Sequence, residues 1–67
     1  MLLIEKNKIY IRNYIEIVNM DSCCFQVKMD NYYLIVLGEK LEIYYYDHQE
    51  VRLNGHVKVI EYHENRV

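Results

Sequence analysis

The sequence predicts an all-β fold, an antiparallel meander of about six short strands forming a small sandwich or a partly open barrel. Three observations carry this. Apolar and polar residues alternate with a period of two along most of the chain. No segment keeps a helical period over about ten positions or more. Turn signals recur at roughly the 8–12-residue spacing of antiparallel strands. Composition agrees: Ile, Val and Leu abound, there are 8 tyrosines, and proline and tryptophan are absent. These are residues that suit a pleated, half-buried surface.

The elements follow in order. "KIYIRNYIEIV" (8–18) places Ile9, Ile11, Ile15 and Ile17 on one face, and Asn13 interrupts it as a bulge or sharp bend. "CCFQVKM" (23–29) alternates through Cys23, Phe25, Val27 and Met29. Asp30-Asn31 then supplies turn chemistry, because both residues tolerate left-handed backbone. "YYLIVL" (32–37) is apolar on both faces, so it is a central strand or it meets a partner. "KLEIYYY" (40–46) sets Leu41, Ile43 and Tyr45 on one face and Glu42, Tyr44 and Tyr46 on the other. Gly38 precedes it as a turn residue.

The last two strands, "EVRL" (50–53) and "HVKVIEY" (56–62), flank Asn54-Gly55, which reads as a hairpin. A two-residue turn would mix apolar and charged side chains on each face. A three-residue connection with Gly55 at positive φ opposes Val51 to Val57 and Glu50 to Lys58, and the pattern favours it. Gly38, Asn54 and Gly55 are therefore assigned to backbone geometry and not to ligand approach. Off the main apolar stripe remain Tyr10, Tyr14, Val18, Leu34, Val36, Tyr44, Tyr46, Ile60 and Tyr62. They form a second small core or a patch that another chain covers.

The 67 residues make one domain, 1–67. A core this small rarely supplies more than about 3–5 kcal/mol, which makes a partner valuable. Net charge is −2 with both signs interspersed, so the basic footprint of a nucleic-acid binder is missing. "MLLIEKNK" is too short an apolar run for a signal peptide or a membrane span. The expectation is a cytoplasmic protein without direct membrane insertion, held to a membrane only through another protein.

Reactive chemistry is sparse. Cys23 and Cys24 are adjacent, so strand geometry sends them to opposite faces, one buried and one exposed. Zinc needs about four ligands. His48, His56 and His63 sit at turns or near the chain end. The last hairpin would bring His48 near His63, but the ligand set is poor. The carboxylates alternate with apolar residues, as solvated faces do, and no nucleophile or phosphate-loop constellation occurs. No enzyme activity, metal or cofactor is expected.

The best surface signal is the "YYY" run at 44–46, because tyrosine joins a large apolar area to a polar tip. Tyr44 and Tyr46, with Tyr10 and Tyr14, are the candidate protein-interaction residues. Self-association is the first expectation. The alternative is an OB or SH3-like binding module whose tyrosines stack bases or hold a peptide.

In order, "IYIRNY", "FQVKM", "LIVLGEKLEI" and "EVRLNGHVKVIEY" resemble the YabP/YqfC family of sporulation proteins, the YqfC branch most closely. That family has a strand ending in an Asn-containing bend. A glycine-centred unit comes next, here Val36, Gly38, Leu41 and Ile43. A closing unit corresponds to Leu53, Gly55, Val57, Ile60 and Tyr62. The match runs from about residue 7 to 62. "DNYY" stands where the family usually has a glycine-containing turn. The resemblance implies a non-enzymatic role in the mother cell while the spore envelope is built. It implies no catalytic residue and no cofactor. A membrane-bound sporulation protein is an implied partner, which would place the chain at the periphery of the forespore membrane.

Overall fold

A computed structural model describes residues 2–64. Among these residues six strands form one antiparallel sheet: β1 Leu2–Glu5, β2 Lys8–Arg12, β3 Glu16–Met20, β4 Cys24–Lys28, β5 Tyr32–Tyr46 and β6 Glu50–Glu64. Their order is β1-β2-β6-β5-β4-β3. The all-β class and the antiparallel pairing are as the alternation predicts. Among the described residues the sheet does not close, and β1 and β3 are its two edges.

Local chemistry sets each connection. Lys6-Asn7 joins β1 to β2, with Asn7 in left-handed backbone at φ 61°. Asn13, at φ 62°, ends β2 and turns the chain, and its N–H donates to the Gln49 carbonyl at 2.6 Å. The predicted bend is therefore present, but it re-phases the residues after it. Ile15, expected on the buried face, is 56% exposed, and Tyr14 packs against the core instead. Asp30-Asn31 makes the β4–β5 turn, closed by Met29 N–H to Tyr32 O at 2.8 Å. The β3–β4 and β5–β6 turns share another device. An aspartate (Asp21 or Asp47) accepts the backbone N–H groups two and three residues ahead through Oδ1, at 2.7–2.8 Å. Such side-chain acceptors mimic a backbone turn.

The 15-residue strands β5 and β6 organise everything else. One end of this hairpin pairs β6 with β2, and the other pairs β5 with β4. Between the ends, the pairing shifts after Leu37, Glu39 and Ile43. Lys40 takes φ 55° and Gly55 φ 142° there. These irregularities fold the hairpin over itself. The Cα extents are 33 × 22 × 19 Å, whereas an unfolded single sheet would be thin in one direction. Inside the fold lies one core: Ile9, Ile11, Phe25, Val27, Met29, Leu34, Val36, Leu41, Val51 and Leu53.

The corner explains both glycines. A Cβ on Gly38 would lie 2.0 Å from the His56 carbonyl oxygen. One on Gly55 would lie 2.8 Å from the Lys40 oxygen and 2.9 Å from the Leu41 Cα. The two strands approach each other there as only glycine allows. The corner of β5 is also held from outside, because Gly38 and Leu41 donate to the Cys23 and Ser22 carbonyls at 3.0 and 2.9 Å.

Several sequence expectations are corrected by this architecture. Asn54-Gly55 is not a hairpin turn: residues 50–64 run as one strand. Val51 opposes Ile11 and Tyr46, and Val57 opposes Gly38, so the 51–57 and 50–58 pairings do not occur. Gly38 likewise lies within a strand, since 32–37 and 40–46 are one element. Local turn propensity is overridden by a tertiary approach that needs glycine for its missing side chain. Leu34 and Val36 belong to the main core, not to a second patch, and "YYLIVL" is central as its two apolar faces require.

Candidate functional site

In an antiparallel sheet, directly opposed residues share a face. On β2, Ile9 and Ile11 point into the core, so Tyr10 points outward with its partners Leu3 and Arg52. Tyr45 opposes Arg52 from the other side, giving an outer row of Leu3, Tyr10, Arg52 and Tyr45 across β1, β2, β6 and β5. A bulge makes this possible. The register passes from Ile43 opposite Leu53 to Tyr45 opposite Arg52 and skips Tyr44. Tyr45, expected beside Leu41 and Ile43, is thereby turned to the outer face. Tyr46 opposes Val51 and is 67% exposed, so Tyr44 and Tyr46 do not share a face by simple alternation.

The row is a cation–aromatic ladder. The Arg52 guanidinium carbon lies 4.7 Å from the Tyr45 ring centroid and 5.8 Å from that of Tyr10. The Lys8 ammonium sits 4.9 Å from the Tyr44 centroid. Rings this close attract the cations through their quadrupoles. Glu50 pairs with the Arg52 Nε, which raises the Arg52 pKa further. The neighbouring Tyr44 hydroxyl pushes the Tyr10 phenol up, and burial adds to it.

Asp47 anchors the end of this face. Besides its two turn N–H groups, it accepts the Tyr45 hydroxyl on Oδ2 at 2.8 Å. The backbone donor Gln49 first, then Tyr45 and Glu50, hold its carboxyl below the usual range. That bond to Asp47 conversely raises the Tyr45 phenol. Tyr14 donates its hydroxyl to the Asp47 carbonyl, and burial raises its pKa.

The four sequence-predicted tyrosines therefore divide into pairs. Tyr10 and Tyr44 meet on the outer face, while Tyr14 and Tyr46 flank the hairpin tip. Tyr45, Arg52, Lys8 and Asp47 were not anticipated, because their placement depends on the bulge at Tyr44 and on β6 lying beside β2. Tyr32 and Tyr62 stack at 4.7 Å between centroids at the far end of the hairpin, away from this cluster.

The histidines and cysteines stay apart. His48 lies in the turn before β6 and His63 near the end of that strand, so the sheet separates the pair that a hairpin would have joined. His63 instead contacts Glu61 at 2.8 Å. Cys23 lies exposed in the β3–β4 turn rather than in phase with Phe25, and Cys24 is half-buried opposite Leu37. Among the described residues no group of three or more His, Cys, Asp or Glu could hold a metal ion. Nor, among them, is any helix long and apolar enough to cross a membrane, which leaves strand-based spanning untouched.

No curated protein and no solved structure matches the chain significantly. The YabP family model matches residues 1–67, its whole length. This family is not a known enzyme family, and membership is compatible with a sporulation-related role. The two glycine-centred units of the sequence meet at the corner, with Gly38 opposite Val57 and Ile43 opposite Leu53. On that full-length match, the chain belongs to the YabP family.

Proposed function

We propose that this chain is a non-enzymatic sporulation protein, a small structural or assembly factor that acts in the mother cell during spore envelope formation through protein–protein contacts. Family membership supports the sporulation part. The observation that carries the contact part is the open sheet. β1 exposes Leu3 and Ile4 at 45% and 49%, and β3 exposes Val18 at 47% with Ile15 beside it. Apolar open edges are templates for strand addition. Through them, or through the tyrosine face, the chain joins itself or a membrane-bound sporulation protein, and so lies at the periphery of the forespore membrane. The test is deletion of its gene in the endospore-forming host, with heat-resistant spores counted. A sharp fall, rescued by expression in the mother cell alone, is expected. Undiminished spore counts and normal envelopes would sink the reading.

A second reading has one observation in its favour. Tyr10, Tyr44 and Tyr45 gather with Lys8 and Arg52, as in a base-stacking platform. Glu50 already occupies Arg52, which weakens the platform's attraction for phosphate. Titration with single-stranded oligonucleotides at low and high salt separates the readings. Salt-sensitive binding would favour the module.

A further inference from the structure

The two edges differ in how they are guarded. β3 carries Glu16 and a bulge at Val18, where the pairing shifts between Ile17 and Asn19. Bulges and charges are the usual means of blocking edge-to-edge pairing. β1 reads Leu2-Leu3-Ile4 before its first charge at Glu5, and its register with β2 is regular. Among the described residues, its other side meets no strand.

The backbone parity of β1 is set by hydrogen bonds one strand away. Asn13 N–H donates to Gln49 O, and Asn7 O accepts from Gly55 N–H at 3.1 Å. Odd residues of β2 therefore bond to β6, and even ones, Lys8 and Tyr10, bond to β1. Their partners are Glu5 and Leu3. Leu2 and Ile4 then turn their N–H and C=O groups toward the open side.

We propose that β1 pairs antiparallel with β1 of a second copy about a two-fold axis at Leu3. This rests on the self-association part of the proposed function and names its surface, register and symmetry. The register opposes Leu2 to Ile4 of the other copy, twice by symmetry, so four backbone hydrogen bonds form between groups that already face outward. Leu3 meets its own mate on the outer face. On the inner face, Leu2 and Ile4 oppose the buried Ile11 and Ile9, so the new pairs prolong the core across the junction. Every pair among the described residues 2–4 is apolar, and Glu5 opposes none of them. The register of the same parity centred on Ile4 sets Leu3 against Glu5 and Leu2 against Lys6, which mismatches apolar with charged. An interface of this size is weak, so the dimer forms with rising concentration.

Light scattering over a concentration series comes first, and the native chain should pass from monomer to dimer. Leu3→Lys sets two ammonium groups face to face and should raise the midpoint concentration about tenfold or more. Ile4→Pro removes an outward N–H and a side chain that is 49% exposed on an edge strand, so it should abolish the dimer at a small cost in Tm. Leu3→Cys, with Cys23→Ser and Cys24→Ser, should form an intermolecular disulfide. Its Cα atoms would be about 4.5 Å apart as a non-hydrogen-bonded pair. Glu5→Cys should not crosslink, since those residues lie about 13 Å apart along the strands. A chain that stays monomeric at the highest concentration it tolerates would overturn the proposal. So would a dimer indifferent to Leu3→Lys and Ile4→Pro. If that dimer were lost on Tyr44→Ala with Tyr46→Ala, the self-association reading would survive on the tyrosine face. Spore counts test the sporulation role separately from all these outcomes.

Discussion

The β5–β6 hairpin has one end beside β2 and one beside β4, and both ends deliver side chains to the core. Ile9, Ile11, Val51 and Leu53 come from the first, Phe25, Val27, Met29, Leu34 and Val36 from the second, and Leu41 from the corner between them. On their outer faces the ends diverge. Beside β2, one row stacks Tyr10, Arg52 and Tyr45 under Leu3. Beside β4, the rows mix types: Lys28, Tyr33 and His63, then Gln26, Ile35 and Glu61, then Cys24, Leu37 and Val59. Burial demands the same of both ends, because a short chain must fill one core from both layers. The outer face is under no such demand. The concentration of aromatic and cationic groups at one end is therefore the more informative asymmetry about partners.

The comparison depends on the corner that folds one end over the other, so breaking the corner has the largest effect. Gly38→Ala would place a methyl 2.0 Å from the His56 carbonyl oxygen, on backbone that cannot swing away. With only about 3–5 kcal/mol to lose, the chain should fail to fold, and far-UV circular dichroism should lose its strand signal. Gly55→Ala meets the Leu41 Cδ2 and Lys40 O at 2.8 Å and also strains φ 142°, so it should fail similarly. Cooperative melts for both variants would mean that the hairpin does not cross itself as described.

A matched pair tests whether the two ends carry equal weight. Val36 and Val51 are both fully buried, one at each end. Val36→Ala and Val51→Ala should each cost about 2 kcal/mol in denaturant unfolding, agreeing within about 0.5 kcal/mol. A loss confined to Val36→Ala would make the β2 end a loosely held flap and its tyrosine ladder an adaptable surface.

How far the sequence foretold these ends differs too. Alternation revealed the inward stripe of β2 and β4, because Ile9, Ile11, Phe25, Val27 and Met29 obey a local period that burial on one face imposes. Asn13 and Asp30-Asn31 were legible because their backbone chemistry is local. The turns assigned to Asn54-Gly55 and Gly38 failed for the opposite reason, although Gly55 does take positive φ. Each glycine answers to a strand distant in sequence, and nothing local distinguishes a turn glycine from a crossing glycine. The tyrosine ladder was half legible. The "YYY" run marked the right segment, but the bulge at Tyr44 decided that Tyr45 and not Tyr46 faces Arg52. The edge at β1 was not legible at all, since its exposure follows from β6 rather than β3 lying beside β2.

The smallest predicted effect separates the two aspartate turns. Both Asp21 and Asp47 accept two backbone N–H groups, but Asp47 alone also takes a tyrosine hydroxyl, which ties the turn to the ladder. The native state favours the ionised Asp47 carboxyl, whose pKa lies below the ordinary 3.8. Its contribution is therefore complete above that value and is lost as pH falls through the depressed native pKa. Thermal melts from pH 7 to pH 2 should show a Tm decrease in that acid window. Asp47→Asn should lower Tm at pH 7 and flatten the acid decrease, because the amide keeps an acceptor for the turn but no longer titrates. Tyr45→Phe should remove part of the same slope, since that hydroxyl is the second cause of the depression. An unchanged slope in both variants would detach the turn from the ladder. The outer faces of the two ends would then differ in composition without differing in how firmly they are held.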